Sequence, residues 1–513
     1  GEKGMKRGLF TFALFVVFSL CLFASAEDFE YIENPAKGGG RIVGDRKYFG
    51  RNYIVRNPRA TQPAPAGIPF AKVDSTEVEC FVLGEDTKIA FFDAAAFHPR
   101  SAVVDDTIHV VWRQDFSENG YHEETFYARS IDGGVSWSDS LCISNLDNIT
   151  SWGGDIAAVG SNVYVVWEDW SGLPTGGIYF RKSTDGGATW QSITPVALRG
   201  VDDYDYYRPT IAAKDSSVFV AFAKNVEQNS MFRFKKSLDY GETWLEEIAI
   251  SERGVTGTFP KLVLNLVGLH VGYQSGFEIY YNRSADWGDT WDDDILISEE
   301  DGEPSQWASI GVDDKGGVYV SWFDYKYSPY AWTGDIFLRR STDNGETWDS
   351  IISLTDNHLC LGSDVCADTF TVHVVWRDER HGSPNFEIYH RRSTNQGVSW
   401  LEENRLTDAP NQSVDPSIAT SHPFLHLSWV DSRDGHGDAF YKKVYWWIPG
   451  DANADGQTNV SDIIFLINYL FVSGPSPEVF ESADANGDGE IDGADIVYLI
   501  NYLFIGGPSP VGC

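Results

Sequence analysis

Two twelve-residue stretches near the C-terminus carry the residue types of a metal site. Asp451, Asn453, Asp455, Asn459 and Asp462 occupy positions 1, 3, 5, 9 and 12 of the first, with Gly456 at position 6. Thirty-three residues later Asp484, Asn486, Asp488, Asp492 and Asp495 repeat the spacing, with Gly489 at position 6. Hard oxygen donors at these intervals suit Ca2+, with the backbone carbonyls of Gln457 and Glu490 at position 7 and glycine for the sharp turn. Position 12 is Asp, where ordinary EF-hand loops carry Glu. Residues 449–513 hold ten acids and no Lys, Arg or His, so the segment repels itself unless cations neutralise it. Two bound Ca2+ ions are expected.

A second group of chemistry-bearing residues lies upstream. Arg113, Asp115, Glu168, Asp169, Asp324, Tyr325, Arg377, Asp378, Asp431 and Arg433 each follow a short apolar run. Arg100, Asp155, Tyr207, Arg208, Trp307, Asp364 and Asp415 stand near the start of another. Aromatic faces suit the C–H surfaces of a sugar, and arginines and acids suit its hydroxyls or a carboxylate. Substrate-binding candidates are therefore Arg100, Arg113, Glu168, Asp169, Arg208, Trp307, Asp324 and Arg377. Glu168, Asp169 and Asp324 also supply carboxylates for a glycosidase that uses two facing acids. The plainer alternative is that loops between strands are polar because they are wet.

The elements that position these residues come from a repeat. The phrase Ser-x-Asp-x-Gly-x-Thr/Ser-Trp begins at Ser130, Ser183, Ser237, Ser284, Ser341 and Ser393, with Asn395 replacing Asp in the last copy. The serines are 53, 54, 47, 57 and 52 residues apart. A period of that length means one supersecondary unit stacked many times. Each unit holds four runs rich in Val, Ile, Tyr, Phe and Trp. In the second unit these are Ile156–Val159, Val163–Trp167, Ile178–Lys182 and Trp190–Val196. Such a unit is a propeller blade. Second strands recur seven times, as Ile108–Trp112, Val163–Trp167, Val218–Phe222, Leu269–Tyr273, Val318–Trp322, Val372–Trp376 and Leu425–Trp429. The fold class is thus all-β, a seven-bladed (or six-bladed) propeller with a small C-terminal α-helical calcium module. The seventh unit lacks the phrase and a fourth strand, and 79–83 or 89–92 is expected to close the ring, since an open ring leaves two unpaired edges.

The phrase falls between third and fourth strands. Its Gly permits a tight turn, its Asp accepts nearby N–H groups, and its Trp is expected to open the fourth strand and pack between blades. These phrases resemble the Asp-boxes, or bacterial neuraminidase repeats, of sialidases and related propellers, across roughly 98–447. That family grips a substrate carboxylate with three arginines and uses a Tyr nucleophile with a Glu and an Asp acid/base. This chain departs from its Arg-Ile-Pro phrase; the nearest echoes are His98-Pro99-Arg100 and Tyr207-Arg208-Pro209. Strand direction puts the phrases on one face of the ring and the candidate site residues on the other.

The two calcium stretches are each followed by an apolar helix, Ile463–Phe471 and Ile496–Phe504, sharing Leu-Ile-Asn-Tyr-Leu-Phe. The duplication resembles a type I dockerin over 450–508. The resemblance implies calcium and a cohesin-like protein partner. Loop positions 10 and 11, which help select the partner in that family, are Val460-Ser461 and Gly493-Ala494 rather than Ser-Thr pairs. The alternatives are self-association through the module or a cap on the propeller.

Bulk properties bound the rest. A net charge of −36 repels nucleic acid and anionic membranes. Lys6 and Arg7, the apolar run 9–23 and Ala24-Ser25-Ala26 read as a secretory signal. No later segment is apolar enough to span a membrane. The expected organisation is 1–26 leader and signal, 27–84 arm with a Pro-rich linker at 57–69, 85–448 propeller and 449–513 dockerin-like module. An exported compartment permits disulfides, with Cys360–Cys366 and Cys80–Cys142 as plausible pairs and Cys513 left over. Two functions compete. One is a secreted sialidase-like propeller that binds or hydrolyses extracellular glycans. The other is a non-catalytic structural or adhesion component of an extracellular assembly.

Overall fold

The computed structural model describes residues 30–33, 53–56, 80–90, 95–116, 123–146, 149–170, 176–198, 206–226, 229–254, 260–328, 333–369, 371–382 and 384–511. The expected signal segment, the Pro-rich 57–69 and Cys513 lie outside these residues. Two compact units form. One holds the antiparallel pair Glu30–Glu33 and Tyr53–Arg56. The other holds the described residues from Cys80 onward.

That second unit contains seven antiparallel blades. Their inner strands are Ala96–Val104, Ser151–Val159, Tyr206–Lys214, Lys261–Leu264, Ser305–Val312, Cys360–Ala367 and Ser413–Ser421. All seven expected second strands form, and residues such as Val110, Val165, Val220, Val320 and Leu427 are fully buried in them. They read as near-continuous apolar runs because a blade is covered on both faces by its neighbours. The seventh blade closes from the N-terminal side. Its third strand, Asp438–Trp447, pairs with Cys80–Leu83, Cys80 lying opposite Trp447, and again with Thr87–Lys88. The expected boundary at residue 85 falls between those two closing strands.

Fourth strands are shorter and later than the sequence suggests. In blade two the strand is Thr194–Leu198, so Trp190 precedes it rather than opening it. The reason is the turn. Ser183 Oγ accepts from Gly187 N at 2.8 Å and donates to Asp185 Oδ1 at 2.7 Å. Asp185 in turn accepts from Thr189 N at 2.8 Å and Thr189 Oγ1 at 2.6 Å. These bonds use up the segment before it can pair. The freed Trp packs edge-on against the preceding blade, Trp190 on Tyr127 at 4.9 Å and Trp244 on Phe180 at 5.3 Å. Gly187 sits against the same ring in a left-handed conformation, φ +80°. The phrase is therefore both a turn and an inter-blade contact. Asn395 keeps the network, accepting from Ser399 N at 2.9 Å and donating to Ser399 Oγ at 2.7 Å. Blade seven has no phrase, and Trp446 from its third strand stacks on His390 of blade six at 4.8 Å instead.

The expected disulfides do not form among the described residues. None of Cys142, Cys360 and Cys366 is part of a disulfide. Cys360 and Cys366 stand at opposite ends of one extended strand. Six residues at roughly 3.3 Å each separate them far beyond bridging distance.

The C-terminal module folds on α1, Val460–Val472, α2, Phe480–Ala483, and α3, Gly493–Ile500, the last continuing as the π-helical turn Asn501–Ile505. Ala452, Ile463, Leu466, Ala483, Ala485, Ile496 and Leu499 form its core. No helix among the described residues is long and apolar enough to cross a membrane.

Candidate functional site

Six of the seven inner strands share one irregularity, Lys261–Leu264 pairing in unbroken register. Their pairing with the second strands slips at Phe97/Arg100, Tyr207/Thr210, Gln306/Ser309, Leu361/Ser363 and Val414/Ser417, and in blade two opposite Val166/Glu168. Each slip holds a residue at positive φ: His98, Gly153, Arg208, Trp307, Gly362 and Asp415. A bulge re-aims the side chains around it. Four of the six positions carry a large side chain where glycine would be strain-free.

Residues just past the bulges lace the inner strands together. Asp155 Oδ2 accepts from Thr210 Oγ1 at 2.8 Å and Ile211 N at 2.9 Å. Thr210 Oγ1 accepts from Leu262 N at 3.0 Å. Asp364 Oδ1 accepts from Lys261 at 2.5 Å and Ser309 Oγ at 2.6 Å, and its Oδ2 from Ile418 N at 2.9 Å. Asp155 and Asp364 therefore tie blades rather than face a ligand. Arg100 donates to Pro99 O at 2.9 Å and acts electrostatically on both Asp364 and His98.

The remaining candidates divide by blade. Asp324 is buried and accepts from Ser305 Oγ at 2.6 Å, Trp322 Nε1 at 3.1 Å and Lys326 N at 2.8 Å. Burial raises its pKa to about 6. It is turned into the blade, not onto the open face. The same stitch from an indole to an acid two residues on recurs at Trp376–Asp378 and Trp429–Asp431. Arg433 is held by Asp431 and Asp86. Trp307 packs on Phe323 at 5.7 Å. Arg377 reaches Glu379 at 3.1 Å and lies over Phe386.

Blades one to three bring the rest together. The Arg113 guanidinium is 4.6 Å from the Phe97 ring and 5.1 Å from the Trp152 ring, with Glu123 at 3.5 Å. Trp152 meets Trp170 edge-on at 6.4 Å, and Trp170 is 54% exposed. Trp170 Nε1 donates to Glu168 Oε1 at 2.5 Å, and Arg208 N donates to Glu168 Oε2 at 2.7 Å. Glu168 is 1% exposed, and burial pushes its carboxyl up to about 7, against the pull of these bonds and of Arg208 and Arg113. Asp169 ends the second strand opposite Ser151 and Gly177. Nearby, His98 Nδ1 lies 3.3 Å from Asp415 Oδ2 across the seam between blades one and seven. Burial keeps the imidazole neutral, with Arg113 and Arg100 adding to that effect. Trp152, Trp170 and Glu123 join this cluster without having been singled out. The one clue was Trp170 two residues after Glu168, the spacing of the indole-to-acid stitch in reverse.

In the module, position 12 of each loop is also the third residue of a helix. Asn459 caps α1 while Asp462 bonds back to Asn459 N at 2.7 Å; Asp492 and Asp495 repeat this for α3 at 2.8 Å. Asp451 accepts from Asp455 N and Gly456 N, and Asp484 from Asp488 N and Gly489 N. Asp462 and Asp495 are fully buried, Asp451 and Asp484 nearly so. Burial and then the Asp462 carboxylate push Asp451 up to about 7, and burial raises Asp462 and Asp495. Buried carboxylates with no cationic side chain in the segment fit a divalent cation. Among the described residues no three His, Cys, Asp or Glu side chains make a metal cluster by themselves. Asn453, Asn459 and Asn486 and the backbone carbonyls of Gln457 and Glu490 stand in the same two loops as these acids.

Several solved structures resemble part of this chain. A Dyadobacter fermentans protein of unknown function is 13% identical with a TM-score of 0.46, covering 72% of this chain and 100% of that one. The phage phi92 endosialidase is 12% identical at 0.43, covering 71% and 69%. An ulvan lyase of a new polysaccharide lyase family is 9% identical at 0.48, covering 71% and 95%. A search of curated proteins found no match. Residues 449–504 match the family model of the dockerin type I domain, a calcium-binding class of module, and that segment is a dockerin.

Proposed function

We propose that this is an exported, sialidase-like Asp-box propeller that binds extracellular glycans and is tethered to an assembly through its dockerin. The observation that supports it most is the run Phe97–Arg113–Trp152–Trp170–Glu168–Arg208 across three blades. It offers an exposed indole for a sugar face, backed by the largely buried Arg113 guanidinium, by Arg208, and by a buried carboxyl that is half-protonated near neutrality. A carboxyl in that state also suits a general acid, so hydrolysis is the second reading, with Glu168 as the acid. The dockerin supplies the tether, with one Ca2+ per loop and a cohesin as its partner. The run Lys6–Ala26 supplies export.

The test is an immobilised panel of sialosides and plant and algal polysaccharides probed with the full chain, with released reducing sugar measured in parallel. Retention on a glycan is the expected result. Retention on none, with no sugar released, favours the structural or adhesion role instead.

A further inference from the structure

We propose that the dockerin is part of the propeller's ring closure, so that calcium in its loops stabilises the propeller itself. The inference rests on calcium occupying those loops. The ring closes where Asp438–Trp447 pairs with Cys80–Leu83. Asp451, position 1 of the first loop, lies four residues beyond Trp447. Trp447 and the module's Val479 are buried together, packed with Val82 of the closing strand and with Phe424 and Tyr445. One apolar cluster thus joins the closing strand, its partner strand and the module.

Polar contacts fix the same junction. The His422 side chain, in the turn between the first two strands of blade seven, bonds the Ala454 carbonyl of the first loop at 3.1 Å. Gly450 N donates to Ser482 O at 2.9 Å, holding α2 against the chain as it leaves the blade. The Tyr445 hydroxyl also feels the nearby charge of Glu481. These module residues lie in the first loop, immediately before it at Gly450, or between α1 and the second loop.

The coupling follows from charge and linkage. Asp462 is fully buried beside nearly buried Asp451, and the segment holds no cationic side chain to offset them. Without a cation the first loop loses its form, and Ala454, Gly450 and Val479 lose their positions. The cover over Cys80–Leu83 goes with them. A ligand that binds only the folded arrangement stabilises everything cooperative with it.

The readout is unusually clean because all eighteen tryptophans lie at or before residue 447 and the module has none. Tryptophan-monitored melting of the full chain therefore reports the propeller together with its junction at Trp447, and calorimetry with Ca2+ reports the loops. Chelation is expected to lower the tryptophan midpoint by about 2–4 °C or more. Val479→Ser and His422→Ala are expected to lose most of that increment while still binding Ca2+. A tryptophan midpoint indifferent to calcium, with calorimetric binding intact, overturns the coupling and leaves the calcium reading standing. No calorimetric binding overturns both. Retention of the full increment by both variants overturns the route through Val479 and Ala454.

Discussion

The backbone N–H of Arg208, on blade three, donates to Glu168 Oε2, on blade two, at 2.7 Å. Arg208 holds a left-handed conformation to do so. The contact ties a bulged inner strand to a buried carboxyl across a blade seam, and it carries the first prediction.

Burial raises Glu168 from 4.5 to about 7, so the folded state keeps a proton that the unfolded chain has lost. Stability contributed at this site therefore falls as pH rises from about 4.5 to about 7, by about 3 kcal/mol in all. Glu168→Gln should abolish that decline. Urea midpoints of wild type and variant from pH 4 to 8 check it: the two curves should diverge in the variant's favour as pH rises.

Gly187 marks a blade-to-blade contact that no side chain can enter. A Cβ there would lie 1.9 Å from Tyr127 Oη, at φ +80°. Gly187→Ala should cost about 2–5 kcal/mol. Gly160, also at positive φ but with nothing within 4 Å, serves as the control. Gly160→Ala should cost about 1–2 kcal/mol, from backbone strain alone. Thermal melts of the pair separate packing from strain.

Asp343 accepts from Thr347 N at 2.8 Å, Thr347 Oγ1 at 2.5 Å and Ser341 Oγ at 2.7 Å. Asn395 makes the corresponding contacts without charge, its amide donating to Ser399 Oγ where Asp343 accepts from Thr347 Oγ1. Asp343→Asn should thus melt within about 2 °C of wild type, whereas Asp343→Ala, which leaves those donors without an acceptor, should fall further. Equal losses in the two variants would mean that the charge, not the acceptor, matters.

Chelation should open the dockerin. Buried Asp451, Asp462, Asp484 and Asp495 cannot stay packed as anions without a cation. Limited proteolysis of the full chain should cut within 449–504 in chelator and spare it in Ca2+. Protection in both conditions would contradict metal-dependent folding of the module.

The repeat made the architecture legible because a blade cannot bury itself alone, so its period is written in Ser130 through Trp400. The seven second strands were legible for the same reason: Ile108–Trp112 and its counterparts must be apolar on both faces. The bulges were not. His98, Gly153, Arg208, Trp307, Gly362 and Asp415 share a backbone conformation but comprise five residue types. The fate of the acids was equally hidden. Asp324 and Glu168 both follow a second-strand apolar run, yet Asp324 is consumed by Ser305 and Trp322 while Glu168 meets Arg208 and the exposed Trp170. Which neighbour a loop meets across a seam depends on ring closure, which involves contacts hundreds of residues apart. The two acidic loops were legible because each is complete within twelve residues.

The most direct measurement is the affinity of the full chain for a glycan retained on the panel, compared with Trp170→Ala and Arg113→Ala. Binding to wild type with at least a tenfold loss in each variant, about 1.4 kcal/mol, is the predicted result. Unchanged affinity in both variants with their fold intact would contradict a glycan site on this face.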